Sequence, residues 1–161
     1  MSSEVETGIL LLSHGSRLDD CEEVITEIAD MYRKTTDNKV EIGFMEMRMP
    51  DIPTAINNLV EGTNIQKIIV VPVFVAHGIH TKRDIPKILG IESEDTDDHD
   101  HEGHHHDHGH DHGHSHGHHH GHGHSHEVEK VDFDGEIIFT DPLGADPLLV
   151  EIIKRRVDDA L

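Results

Sequence analysis

Apolar positions along this chain come in two alternating kinds of run. The first kind is short and continuous. Gly8–Ser13 carries four aliphatic residues without a polar break, too short for a helix and suited to a strand covered on both faces. Val40–Met47, Lys67–Ala76 and Glu136–Thr140 repeat the signal. The second kind recurs at three and four. Leu18, Cys21, Val24, Ile25, Ile28, Met31 and Tyr32 form one stripe with acidic residues opposite, which predicts an amphipathic helix. Asp19 and Asp20 fall in its first turn, where the helix dipole favours anions. Thr35–Lys39 reads as a turn. Ala55, Ile56, Leu59 and Val60 predict a second helix, opened near Pro53 and closed about Gly62. Thr81–Leu89 predicts a third, with Pro86 in its first turn and Gly90 after its end. Asp146 caps a fourth, with Pro147 at its first position and Leu148, Leu149, Ile152, Ile153 and Val157 as its stripe.

Strand and helix thus alternate four times. The expected fold class is α/β, a parallel four-stranded sheet flanked by helices, like half of a flavodoxin-like unit. In such sheets ligands bind beyond the carboxyl ends of the strands. His14 follows the first strand, Glu46 closes the second, His77 follows the third and Asp141 the fourth. All four are therefore expected on one edge. Pro72 lacks a backbone donor, so the ladder is expected to fray or bulge there, close to His77.

The periodicity stops at Glu92. From there to Lys130 the chain is mostly Asp, Glu, His, Gly and Ser, with too little apolar surface to offset the entropy of ordering. The expectation is one domain made of residues 1–94 and 130–161, interrupted by a His-rich insertion, 95–129, that is disordered or ordered by metal. Of 19 histidines, only His14, His77 and His80 lie outside this tract. Such tracts bind nickel, cobalt, zinc or copper. A tethered metal reservoir and a dispensable tail with adventitious affinity are equally open readings.

The formal charge of −20 argues against nucleic acid, whose phosphates require Lys and Arg, and against an anionic membrane surface. The single cysteine, Cys21, allows no intramolecular disulfide. The apolar run Ile68–Ala76 is far short of the roughly 20 residues a bilayer needs, and the first residues do not resemble a signal peptide. A cytoplasmic protein is expected.

Imidazole suits Co, Ni, Zn and Cu among divalent metals. Two histidines and a carboxylate on one rim can hold such a metal with open positions, or move protons. One histidine at a strand end is more often an ordinary polar residue; two His-Gly turns on the same edge favour function. Glu46 is balanced between site carboxylate and solvent-facing residue. His80 reads as a supporting residue. Ser13, Gly15 and Ser16 can offer donors to an anion at the mouth of the first helix, although Ser16 is equally a plain cap.

Three blocks carry a resemblance: Leu12-Ser13-His14-Gly15-Ser16-Arg17; Met45-Glu46 with Pro50 and Ile52-Pro53; and Val71 through Pro86, which includes Ala76-His77-Gly78-Ile79-His80-Thr81-Lys82-Arg83. Together with Pro142-Leu143-Gly144-Ala145-Asp146 they resemble the short archaeal sirohydrochlorin metal chelatases, of the class II chelatase family. The likeness implies a chelatase fold and insertion of Co(II), or in methanogens Ni(II), into sirohydrochlorin, on the way to cobalamin or to the nickel tetrapyrrole of methanogenesis. It implies no organic cofactor, and a homodimer with the tetrapyrrole in a cleft between subunits. The family's two metal-site histidines match His14 and His77. Glu46 then accepts a proton or completes the metal shell. The carboxylates of sirohydrochlorin sit badly with a −20 chain, so Arg17, Lys82 and Arg83, beside the two motifs, are the expected cations, with Gly78, His80 and Thr81 as further substrate contacts. Arg48 lies near Glu46, but the likeness gives it no role.

Two rivals stand beside this one. A nickel or cobalt storage protein or metallochaperone would bind metal tightly and no tetrapyrrole. A phosphatase with a histidine nucleophile needs arginine before the histidine, where this chain has Ser13.

Overall fold

Alternation along the first strand decides the layering. Leu10 and Leu12 point to one face, Ile9 and Leu11 to the other, and all four are buried. A computed structural model describes residues 5–91 and 131–161; the expected insertion lies outside them. Four strands, β1 (Glu6–Ser13), β2 (Lys39–Phe44), β3 (Ile65–Pro72) and β4 (Glu136–Phe139), alternate with α1 (Asp19–Arg33), α2 (Ile52–Val60), α3 (Ile79–Leu89) and α4 (Pro147–Ala160). All strand pairs are parallel, in the order β2-β1-β3-β4.

One face of the sheet is closed by α2 and α3. Ile52, Ala55, Ile56 and Leu59 of α2 and Ile85 and Leu89 of α3 pack with Leu10, Leu12, Ile68 and Val70. Each fully buried Leu or Ile contributes about 1.5–3 kcal/mol relative to exposure. The other face receives α1, through Ile25 and Ala29 against Ile9, Leu11, Val40 and Phe44. The seven-residue stripe expected on α1 is only partly used: Leu18, Val24 and Met31 are exposed.

Asp51 caps α2 by accepting from the Thr54 N–H at 3.0 Å. Asp146 caps α4 by accepting from the Leu148 N–H at 2.9 Å, with Pro147 in the first turn as expected. Pro86 is different. It stands well inside α3, whose first turn starts at Ile79, rather than near a start at Thr81. The apolar stripe of α4 is the largest departure: no residue of α4 is buried among the described residues.

Two strands end earlier than their apolar runs. β2 stops at Phe44, and β3 stops at Pro72 and begins at Ile65. Val73 still donates its N–H to Leu12 O at 2.8 Å, so the nitrogen of Pro72 faces the β4 side. There pairing ends at Val70 with Phe139, and the missing donor falls where β4 has run out. The chain bends directly afterwards. The order in which successive strands are added reverses at β1, with β2 on one side of it and β3 on the other. Open α/β sheets bind ligands at such a switch point, and here it lies at the carboxyl ends of the two strands that deliver His14 and His77.

Candidate active site

His14 is the first residue past β1. Gly15 after it takes φ +92°, and a Cβ there would overlap the carbonyl oxygen of Glu46. The loops after β1 and β2 therefore touch backbone to backbone, which only glycine permits. Met45 N–H donates to Ser13 O at 3.0 Å, supporting the same contact, and Phe44 N–H donates to Pro50 O at 2.9 Å, closing the loop after β2 on itself. Glu46 lies in this loop, two residues past the strand that was expected to contain it. Its Oε1 stands 3.5 Å from Nδ1 of His14, and the two side chains are 56% and 57% exposed. The carboxylate there faces that ring nitrogen and can accept from it.

His77 is held differently. Its Nδ1 is 3.0 Å from the hydroxyl oxygen of Thr81, and that hydroxyl donates to Gly78 O at 3.0 Å. A carbonyl only accepts, so the Thr81 proton is committed and its oxygen receives the Nδ1–H of His77. The hydrogen-bond network thus places a proton on Nδ1, so Nε2 is the nitrogen left to face a metal or a proton. Thr81, expected to contact substrate, is 3% exposed, with its hydroxyl bonded to His77 and Gly78.

Both imidazoles meet the same phenyl ring. Phe74 lies edge-on to His14, centroids 6.3 Å apart, and edge-on to His77 at 5.7 Å. Phe139 at the end of β4 takes a tilted contact with His77 at 5.6 Å. The loop after β4 is tied down here, with Leu143 N–H donating to Phe74 O at 3.0 Å and Gly144 N–H to Val75 O at 2.8 Å. Leu18, Met47, Met49, Val75 and Leu143 are large exposed apolar residues, and each sits in a loop that leaves the carboxyl end of a strand. The edge that carries the histidines is therefore rimmed with apolar surface, as a binding face is. A cavity lined by Glu6, Lys39 and Ile65 lies at the opposite, amino-terminal edge.

The remaining expected residues divide. Arg17, Lys82 and Arg83 are exposed, and Gly78 is the N-cap of α3. Ser13 is 6% exposed, with its hydroxyl 3.5 Å from the sulfur of Cys21 in the first turn of α1. Ser16 Oγ accepts from the Leu18 N–H at 3.2 Å, a turn ahead of α1; Ser16 is not its cap, since Leu18 holds the N-cap position without a side-chain capping bond. Asp141 is exposed beyond β4. The side chain of His80 lies outside the described residues. Sequence reasoning missed Phe74 and Arg48. Arg48 lies across the loops after β1 and β2, bonded to Ser16 O, Arg17 O, Asp19 and Glu22.

A family model described as CbiX matches residues 8–160. The chain belongs to the CbiX family. This CbiX chain is 54% identical over 154 residues to the sirohydrochlorin cobaltochelatase of Methanothermobacter thermautotrophicus, with 96% of this chain and 92% of that one covered. It is 34% identical over 158 residues to the sirohydrochlorin cobaltochelatase of Methanosarcina barkeri, covering 96% of each. Among solved structures, a CbiX protein of cobalamin biosynthesis from Marinobacter aquaeolei VT8 matches at 20% identity and a TM-score of 0.59, over 96% of each chain. SirB from Bacillus subtilis, solved with Fe3+, matches at 21% identity and a TM-score of 0.62, over 97% of this chain and 48% of its own. These two likenesses establish that the α/β sheet described above is the chelatase fold.

Proposed function

We propose that this CbiX-family protein is a cytoplasmic chelatase that inserts Co(II) or Ni(II) into sirohydrochlorin, with the metal ion as substrate and no organic cofactor. The observation that carries the proposal is the pair of imidazoles on one sheet edge, each held by a different partner. Insertion must strip water from the ion, bring it to the ring nitrogens and remove two pyrrole protons. His14, backed by Glu46, is suited to take protons and pass them towards solvent. His77, fixed by Thr81 with Nε2 open, is suited to hold the metal or to take the second proton. Phe74 keeps both rings edge-on, and the apolar rim of Leu18, Met47, Met49, Val75 and Leu143 suits the flat face of a macrocycle. Arg17, Lys82 and Arg83 supply the cations that its carboxylates need on an acidic chain.

The decisive assay mixes protein, sirohydrochlorin and Co(II) or Ni(II) without oxygen and follows the tetrapyrrole absorbance. His14→Ala and His77→Ala should each slow insertion by about 10²–10⁴-fold, the range of a lost acid–base group, while far-UV circular dichroism stays unchanged. Wild-type rates in either variant would overturn the assignment. The same assay ranks the two metals. The storage or metallochaperone alternative predicts no spectral change in sirohydrochlorin at all.

The unit that works is, in this proposal, a homodimer with the tetrapyrrole between two copies. Three facts support a second copy as the partner. The apolar stripe of α4 is uncovered on the single chain, with Leu148 72%, Ile153 61% and Val157 53% exposed. The sheet face that receives α1 keeps Ile69, Val71 and Val73 half-buried and Ile138 exposed. Both are apolar surfaces that one protomer leaves open and two can close. The solved SirB chain, similar over 48% of its length, is long enough to hold two such units. We propose further that residues 1–94 and 130–161 form one domain and that the His-rich 95–129 tract serves it as a metal reservoir.

A further inference from the structure

Arg48 is the best-connected side chain near the site, and none of its four partners is on its own loop. Its Nε donates to Ser16 O at 2.7 Å and its Nη2 to Arg17 O at 3.2 Å. Nη2 also meets Asp19 Oδ1 at 2.7 Å, and Nη1 pairs with Glu22 Oε2. The side chain is 16% exposed, whereas Asp19 and Glu22 are 85% and 50% exposed. Exposed ion pairs alone contribute little. Here, however, one planar guanidinium joins two backbone carbonyls directly after His14-Gly15 to the first turn of α1, and all of them to the loop after β2. The Asp19 hydrogen bond, with the charge of Glu22, raises the guanidinium pKa above its ordinary range.

The geometry of the loop explains why such a tie is needed. Glu46 and His14 face each other across a junction whose backbone contact is Gly15 on Glu46 O. Met47, between Glu46 and Arg48, takes φ 68°, a left-handed conformation that a non-glycine residue adopts only when its surroundings enforce it. Arg48 is the next residue and the one anchored on the far loop. It is placed to hold the strained turn and, through it, the direction of the Glu46 side chain. A lysine carries the same charge but one donor centre, and cannot reach carbonyls and carboxylates on two elements at once.

We infer that Arg48 is a positioning residue for metal insertion: its fork locks the loop after β2 onto the loop after β1 and so holds Glu46 against His14. This inference rests on the proposed roles of His14 and Glu46. It assigns Arg48 no contact with metal or tetrapyrrole.

The test compares R48M, R48K, E46Q and the double variant R48M/E46Q in the sirohydrochlorin insertion assay, with kcat and KM separated and rates corrected for folded fraction. The expected result is a loss in kcat of about 10–100-fold for R48M, the scale of a small misplacement of reacting groups, with KM for sirohydrochlorin changed by less than about threefold. R48K should fall with R48M, since charge without the fork does not hold the loop. R48M/E46Q should be within about twofold of E46Q alone, because a positioning residue has nothing left to position. If R48M unfolds, R48K with E46Q and their double variant give the same comparison. Wild-type kcat in R48K would overturn the inference, as would losses that multiply in the double variant. An unaffected E46Q would instead overturn the role proposed for Glu46, and the inference with it; an impaired E46Q beside an unaffected R48M overturns the inference alone.

Discussion

The Nδ1–H of His77 donates to the buried hydroxyl of Thr81, four residues on and in the first turn of α3. That hydroxyl has no free proton, since it donates to Gly78 O. One threonine thus sets the tautomer of His77 and aims its ring. Thr81→Val keeps size and shape but removes both bonds. It removes one donor from Gly78 O, which keeps the Lys82 N–H at 3.3 Å, at a cost of about 0.5–1.5 kcal/mol, and leaves the ring free to flip. Insertion should slow by about 10–100-fold, the usual loss when an outer partner of a metal-facing histidine is removed. Thr81→Ser should retain most activity. Equal rates for the valine and serine variants would show that the tautomer is not set here.

Gly15 offers a second test, of loop contact rather than chemistry. A Cβ at Gly15 meets both an unfavourable φ and the Glu46 carbonyl, whereas at Gly62 a Cβ meets the same kind of φ, +69°, and open space. Gly62→Ala should therefore cost only the backbone term, roughly 1–2 kcal/mol. Gly15→Ala should cost distinctly more, read as a larger drop in the urea midpoint with unchanged slope, and should slow insertion as Glu46 is pushed from His14. Equal stability losses in the two variants would mean that the loops are not in contact.

Much of this was legible in the chain itself. Four continuous runs and four stripes gave the alternation, and the carboxyl-edge rule then placed His14 and His77 together without any contact information. Strand ends were less legible because apolarity does not mark them. Val73 through Ala76 continue the run of β3, yet the chain turns after Pro72 and uses Phe74 to meet two imidazoles. Burial of α1 was overstated because Val24 and Met31 satisfy the helical period without a surface to cover them. Arg48 was illegible for a different reason. Its partners lie about thirty residues away along the chain, and spacing says nothing about which loops cross. The one available signal was a lone arginine in a strand-to-helix loop of an acidic chain, with Asp19, Asp20 and Glu22 waiting in another first turn.

The exposed stripe of α4 makes a prediction about assembly. Ile153→Glu and Val157→Glu put charge on the uncovered face without touching any buried residue of α4. Each should weaken the dimer by about 30-fold or more in Kd, the equivalent of roughly 2 kcal/mol for a central apolar contact. Sedimentation velocity across a dilution series reads this directly, and insertion should decline in step with the dimer fraction. A wild-type protein that is monomeric at every concentration, yet fully active, would remove the second copy from the proposal.

The proposed reservoir would separate supply from chemistry. Sixteen histidines lie between His99 and His126, and tracts of this composition bind Ni(II) or Co(II). A reservoir matters only when free metal is scarce. Deleting residues 95–129 should therefore leave kcat within about twofold at saturating metal, and lower the rate several-fold when metal is limiting or buffered by a chelator. The comparison must use both regimes on the same preparation. A large loss at saturating metal would place part of the catalytic machinery in the tract, and no loss under limiting metal would make it dispensable for insertion.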